Sequence, residues 1–121
     1  MKFKDFETLG KNSDFRKVYN KKKSFANRLL VMYILENGTD TIRLGVSVSK
    51  KVGNSIVRHR LARLIREAFR LNSHKVKRGL DIVVIARDSL RDKSYKETES
   101  ALLHLLGLHK VIINNDEKNN A

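Results

Sequence analysis

Within KKVGNSIVRHRLARLIREAFR, residues 50–70, arginine recurs at 58, 60, 63, 66 and 70, behind a lysine pair at 50 and 51. The chemistry such a stretch serves is recognition of phosphate. A guanidinium carries its N–H donors in a planar fork that meets two phosphate oxygens at once and also stacks on bases. Acid–base and metal chemistry have much less support. The histidines stand at 59, 74, 104 and 109, and the spacing of His104 and His109 is not that of a His-Glu-x-x-His site. The carboxylates are scattered, without the cluster that holds two metal ions or a histidine pair suited to proton transfer. Each histidine therefore reads as a surface or helix-end residue, and neither a catalytic nor a metal-ligating side chain is expected. The chain has no cysteine, which excludes disulfides, Cys-ligated zinc, iron–sulfur clusters and thiol catalysis.

Charge supports the phosphate reading. There are 26 Lys and Arg against 13 Asp and Glu in 121 residues, a net charge of +13. An excess of this size repels itself in a compact chain and calls for a polyanionic partner, nucleic acid before an anionic membrane surface. The N-terminus MKFKDFETLG carries acids and no continuous apolar run, unlike a signal peptide. The longest apolar run, LLVMYIL at 29–35, is too short to span a bilayer. The expected location is the cytoplasm, with no membrane partner.

On a helical wheel Val57, Leu61, Leu64, Ala68 and Leu71 fall within about 40° of one direction, the expected buried stripe. His59, Arg63, Arg66 and Arg70 cluster opposite, and Arg58 and Arg60 flank them. A solvated helix face ordinarily mixes Glu with Lys to form i,i+4 pairs, but Glu67 is the single acid in 50–70. A membrane-surface helix exposes an apolar face, which here is needed for the core. In the preceding loop Gly53 permits close backbone approach, Asn54 is suited to cap the helix, and the free N–H groups of its first turn are a natural seat for phosphate.

The elements that must position this helix follow from periodicity. Residues 1–11 read as a loosely ordered arm. NSDFRKVYN, with Asn12 or Ser13 as cap, forms a short helix with Phe15, Val18 and Tyr19 on one face. NRLLVMYILENGTDTIRLGVSVS reads as a hairpin turning at Asn37-Gly38. Its second strand alternates Ile42, Leu44, Val46 and Val48 against Arg43, Gly45, Ser47 and Ser49. The basic helix covers 55–72, DIVVIAR at 81–87 is a strand apolar on both faces, and a last helix is capped near Ser94. The fold class is α+β, a single domain with a small, mainly antiparallel sheet, helices packed on it, and one more short strand allowed near 22–27.

SVSKKVGNSIVRHRLARLIREAF, residues 47–69, resembles the signature of the bacterial ribonuclease P protein subunit: a Lys-Lys-hydrophobic-Gly-Asn loop followed by an Arg-Asn-Arg helix with further basic residues. NSDFRKVYNKKKSFANRLLVMY and DIVVIAR resemble that family's first helix with its first strands and its later strand. Two departures stand out: His59 replaces the usual Asn, and Ala62 a common Lys. A histidine still donates a hydrogen bond, whereas Ala62 removes one charge.

The resemblance implies a four-stranded sheet with three helices in the order α-β-β-β-α-β-α, including a left-handed βαβ crossover that no general rule would suggest. It implies one ribonuclease P protein domain over 1–121, with about 1–9 and 112–121 flexible. It implies the protein subunit of an endoribonuclease that removes the 5′ leader from precursor tRNA. In that enzyme the RNA subunit is catalytic and holds Mg²⁺, and one protein binds each RNA and contacts the leader. By position, Lys50, Lys51, Asn54, Arg58, His59, Arg60, Arg63, Arg66 and Arg70 resemble the RNA-binding face. Phe15, Tyr19 and Tyr33 resemble the lining of the cleft that takes the single-stranded leader. Aromatic faces beside basic groups hold single strands with little sequence preference; taken alone, Phe15 reads rather as core.

Two alternatives remain at this level: a plain RNA-binding module such as a small ribosomal protein, and a protein-only nuclease. If the basic face neutralises about five to seven phosphates, log K for RNA should fall against log salt with a slope of roughly −3.5 to −6. A filter-binding titration giving a slope near zero would remove the electrostatic basis for all of these assignments.

Overall fold

The computed structural model describes residues 6–113. Its elements are β1 (Phe6–Thr8), α1 (Asn12–Lys21), β2 (Ser24–Ala26), β3 (Leu30–Glu36), β4 (Ile42–Ser47), α2 (Ser55–Asn72), β5 (Leu80–Ala86) and α3 (Tyr95–Leu108). The strands form one sheet in the order β1-β4-β5-β3-β2.

The α+β class with three helices holds, but the sheet has five strands rather than four. The extra one is β1, which pairs in parallel with β4, Phe6 opposite Ile42 and Thr8 opposite Leu44. The expectation of a loose arm therefore fails for residues 6–9: Leu9 is buried, and its N–H donates to the Leu44 carbonyl. A three-residue edge strand carries too little pattern to be recognised locally, and its partner lies far along the chain. Residues 1–5 and 114–121, parts of the ends expected to be flexible, lie outside the described residues.

The hairpin is also corrected. The two strands flanking Asn37-Gly38 do not pair with each other; β5 lies between them, antiparallel to β3 and parallel to β4. Gly38 does take the positive φ that the turn reading requires, 75°. Yet the 37–41 loop arches over the start of β5 instead of closing a tight turn, with the Asn37 N–H donating to the Gly79 carbonyl. A strand apolar on both faces gains most from a central position, where both faces are covered. β5 is buried along nearly its whole length. β4, α2 and β5 form a parallel βαβ unit.

One sheet face, with Met32, Ile34, Ile42, Leu44, Ile82 and Val84, packs under α2 and α3 to form the main core. The other face meets α1 alone, around Leu9, Val18 and Val83. α1 starts without a side-chain cap, Lys11 rather than Asn12 or Ser13 holding the cap position, and ends at Lys22 with φ 61°. α2 is capped by Asn54, whose side chain accepts from the Val57 N–H at 3.0 Å. At the start of α3 Ser94 and Glu97 form a reciprocal capping box.

The buried stripe of α2 is rotated from the expected one by roughly 60° on the wheel. Leu61, Ile65, Ala68, Phe69 and Asn72 are buried. Val57 and Leu64 are only partly so, and Leu71 is 47% exposed. The rotation brings Phe69 under the sheet, where the ring of Phe6 from β1 meets it edge-on at 5.0 Å. It also turns Asn72 toward α3, where Nδ2 donates to Glu99 at 2.8 Å. Ile65→Ala should accordingly cost about 2–5 kcal/mol of stability, and Leu71→Ala no more than about 0.5 kcal/mol. Denaturant unfolding of the two variants decides the helix phase; an equal loss from both would refute it.

Candidate nucleic-acid interface

The outer face of α2 is built by exclusion. Once the rotated stripe is buried, His59, Arg63 and Arg66 are left exposed, and Lys50 and Lys51 stand exposed in the loop before the helix. Among the described residues none of these cations is tied down in an ion pair, so they are available to phosphate. The N-terminal turn of α2 contains no acid, so its N–H dipoles and the nearby cations act with the same sign on an approaching anion.

Other predicted residues do structural work as well. Asn54 spends its side-chain oxygen on the cap. Arg58 turns back, its Nε donating to the Gly53 carbonyl at 3.2 Å, and so rigidifies the loop. Arg60 donates to the Arg91 carbonyl. Arg70 pairs with Glu67, with donor–acceptor distances of 3.2 and 2.6 Å; this holds the Glu67 carboxyl below its ordinary pKa. Both partners are exposed, so a polyanion competes for Arg70 at little cost.

Phe15, Tyr19 and Tyr33 do come together. The Phe15 and Tyr19 ring centroids are 6.3 Å apart, and Tyr19 meets Tyr33 edge-on at 5.0 Å. All three are partly buried, packed against the small core under α1. The expectation of plain core packing is thus half right: one side of each ring is anchored and some surface stays open. Burial first, then the neighbouring Tyr33, pushes the Tyr19 hydroxyl pKa up, while a hydrogen bond with Ser47 opposes them. The floor beside the rings is set by register. Tyr33, Val83 and Gly45 lie in one row across β3, β5 and β4, and Val31, Ile85 and Ser47 in the next. Gly45 makes the space, because a Cβ there would lie 2.6 Å from Cζ of Phe15.

From Ser47 the chain runs into Lys50 and Lys51, so the aromatic cleft leads toward the basic loop. Around that end the structure adds cations that sequence spacing does not connect. Arg28 and Arg87 join Lys51, with Asp88 and Ser89, around one depression. Arg91 donates from Nε to the Val52 carbonyl at 2.6 Å, pinning the loop. The signal for these residues was isolated basic positions in three separate loops, which only the sheet topology assembles. Ile56, 77% exposed, sits on the same outward side of α2 as Arg60 and Arg63.

Basic helix, pinned loop and half-open aromatic cleft define a class, a small α+β RNA-binding protein whose side chains serve recognition. The comparisons identify the family. Residues 3–110 match the family model described as Ribonuclease P. The chain is 58% identical over 103 residues to the ribonuclease P protein component of Alkaliphilus oremlandii, covering 85% of this chain and 90% of that protein. It is 52% identical over 114 residues to that of Lachnoclostridium phytofermentans, covering 94% and 98%. Among solved structures, the Staphylococcus aureus RNase P protein superposes with a TM-score of 0.81 at 40% identity, covering 87% of this chain and 96% of that one. The Thermotoga maritima RNase P protein gives 0.77 at 36%, covering 83% and 94%. The chain belongs to the ribonuclease P protein family, the protein subunit of the ribonucleoprotein enzyme that processes the 5′ end of tRNA.

Gly45→Ala probes the cleft without removing an aromatic ring. The added methyl must displace Phe15, an overpacking that should cost about 1–3 kcal/mol. Tyr19 fluorescence and denaturant unfolding of this variant should both change, whereas Gly10→Ala, with nothing near the added Cβ, should leave both nearly as they are.

Proposed function

We propose that the two faces divide the work of the enzyme. Lys50, Lys51, Asn54, Arg58, His59, Arg60, Arg63, Arg66 and Arg70 form the face that binds the catalytic RNA subunit, one protein to each RNA. Phe15, Tyr19 and Tyr33 receive the single-stranded 5′ leader of precursor tRNA, raising substrate affinity and broadening specificity. The observation that carries this division is the half-buried aromatic trio: its rings are held by the core under α1 yet keep part of their surface exposed. That is the arrangement for stacking bases on rigid platforms.

The protein contributes binding and position. α2 and its loop meet phosphates by charge and by the bidentate geometry of arginine. The cleft then fixes the leader relative to the RNA subunit, so that the scissile bond is presented by binding energy gained away from it. Mg²⁺ is assigned to the RNA. Among the described residues no group of three or more His, Asp or Glu side chains is placed to hold a metal. The whole chain acts as one ribonuclease P protein domain, in the cytoplasm where precursor tRNA is made.

Base–aromatic stacking is worth about 1–3 kcal/mol per base, and about 1.4 kcal/mol is tenfold in affinity. Phe15→Ala or Tyr19→Ala should weaken binding of leader-bearing precursor to the reconstituted enzyme by roughly tenfold or more, with mature tRNA little changed. Arg63→Ala with Arg66→Ala should instead weaken assembly with the RNA subunit. The measurement is precursor affinity as the leader is shortened step by step. Should wild type and the aromatic variants lose affinity in parallel down to no leader at all, the rings do not contact the leader.

A further inference from the structure

A groove of about 490 Å³ lies between the β2–β3 turn and the side of α3. Its apolar lining is Leu29 and Ala101, both packed into the main core. The turn is tied down from two directions. The Asn27 side-chain oxygen accepts from the Leu29 and Leu30 N–H groups at 3.1 and 2.9 Å, while its Nδ2 donates across to the Ala101 carbonyl at 3.0 Å. Arg87 donates to the Asn27 carbonyl at 3.2 Å, and the Ser89 hydroxyl donates to the Arg28 carbonyl. The groove is therefore preformed, since its two walls are bonded to each other.

The lining is rich in donors. Lys96, Ser100 and His104 stand at i, i+4 and i+8 on α3, all exposed, and so follow one side of the helix. Arg28 joins them from the turn and Lys93 from the loop before α3. The bonds to its oxygen fix the Asn27 amide, so it is Nδ2 that lies 3.1 Å from Nδ1 of His104. An amide nitrogen only donates; Nδ1 therefore accepts, and the ring hydrogen sits on Nε2. Glu97, the carboxylate in the lining, accepts from the Ser94 N–H at 2.9 Å in the capping box. Lys93 meets Asp92 only loosely, at 3.9 Å. Among the described residues neither Arg28 nor Lys96 is held in an ion pair.

Donors around an apolar lining suit a nucleotide better than a bare anion. Base and ribose can cover Leu29 and Ala101, while phosphate and base acceptors meet the cations, Ser100 and His104. Position favours RNA over an acidic peptide. Arg28 also lines the depression that holds Lys51 and Arg87, so the groove continues the basic surface of the 50–54 loop. We propose that this groove seats a nucleotide of the catalytic RNA subunit, extending onto α3 the contact that begins at Lys51. The proposal rests on the assignment of the 50–54 loop and α2 to that RNA.

The chain has no cysteine, so Ser100→Cys can carry a single tethered iron–EDTA group that cleaves RNA lying at the groove. In the reconstituted enzyme it should cut the RNA subunit at discrete nucleotides. Lys93→Gln with Lys96→Gln should weaken assembly with the RNA subunit about tenfold or more and make the slope of log K against log salt shallower by roughly 1.4–1.8. Ser100→Phe, which fills the groove without changing charge, should weaken assembly and leave that slope unchanged. Thermal melts of these variants should match wild type, as Lys96 and Ser100 are exposed. Cleavage that is absent or confined to the precursor would assign the groove to another occupant and overturn the proposal. If Arg63→Ala with Arg66→Ala weakens assembly while the groove variants assemble like wild type, the groove assignment falls and the reading of α2 stands. Wild-type assembly by all of them would refute both.

Discussion

A carboxylate sits in the middle of the sheet. Asp81, on the central strand β5, is 2% exposed, and burying such a charge is costly unless it is paired and fully hydrogen-bonded. Arg43 of β4 meets it with both prongs of its guanidinium, at 2.8 and 2.6 Å, and Asn37 donates to it at 2.8 Å. Arg43 also reaches Asp14 of α1 at 3.5 Å. The network ties β4 beside β5, stations the 37–41 loop over the strand end, and draws α1 onto the same face. A register slip between β4 and β5 would leave Asp81 buried without its partner. With that register set, α2 must cross from β4 to β5 with the loop at 50–54 at its start, and both the basic face and the aromatic cluster take their places.

The two faces of the sheet are unequally covered. α2 and α3 bury one face in a continuous core, where Leu30, Met32, Ile42, Leu61, Phe69 and Leu102 are inaccessible to solvent. The other face has only α1, a short helix that covers Leu9, Val18 and Val83 and leaves Phe15, Tyr19, Tyr33 and Ile85 partly open. Rigidity comes from the first face, and partly open aromatic surface from the second. Gly45 is the hinge of this compromise, since any side chain there would occupy the place of Phe15.

Lys and Arg outnumber Asp and Glu by 26 to 13, and several of the acids are engaged in contacts that hold the fold. Asp81 and Asp14 hold Arg43, Glu97 closes the α3 cap, and Glu99 accepts from Asn72 and Tyr95. Glu67 is the carboxylate left on the basic helix, and it faces Arg70. The cations of the 50–54 loop and of the outer face of α2 meet few counter-charges within the described residues, which suits them to a polyanion.

Local pattern alone was enough for the phosphate chemistry, the helix over 55–72 with its Asn54 cap, the alternation of β4, and the Ser94 cap of α3, because each depends on neighbours within a turn or two of the chain. The long loop-and-helix motif was enough for the family. Tertiary structure decided what depends on distant partners. It inserted β5 between β3 and β4, since a strand apolar on both faces belongs in the centre and no local signal outweighs that burial. It added β1, whose partner is far away in the chain. It rotated α2 so that Ile65 and Phe69, not Leu64 and Leu71, face the core, because the direction of burial is set by the packing neighbour and a helix apolar over a wide arc admits several phases. It also gathered Arg28, Arg87 and Lys51 at one end of the sheet. Charge in a sequence is a sum, and only the fold turns it into places.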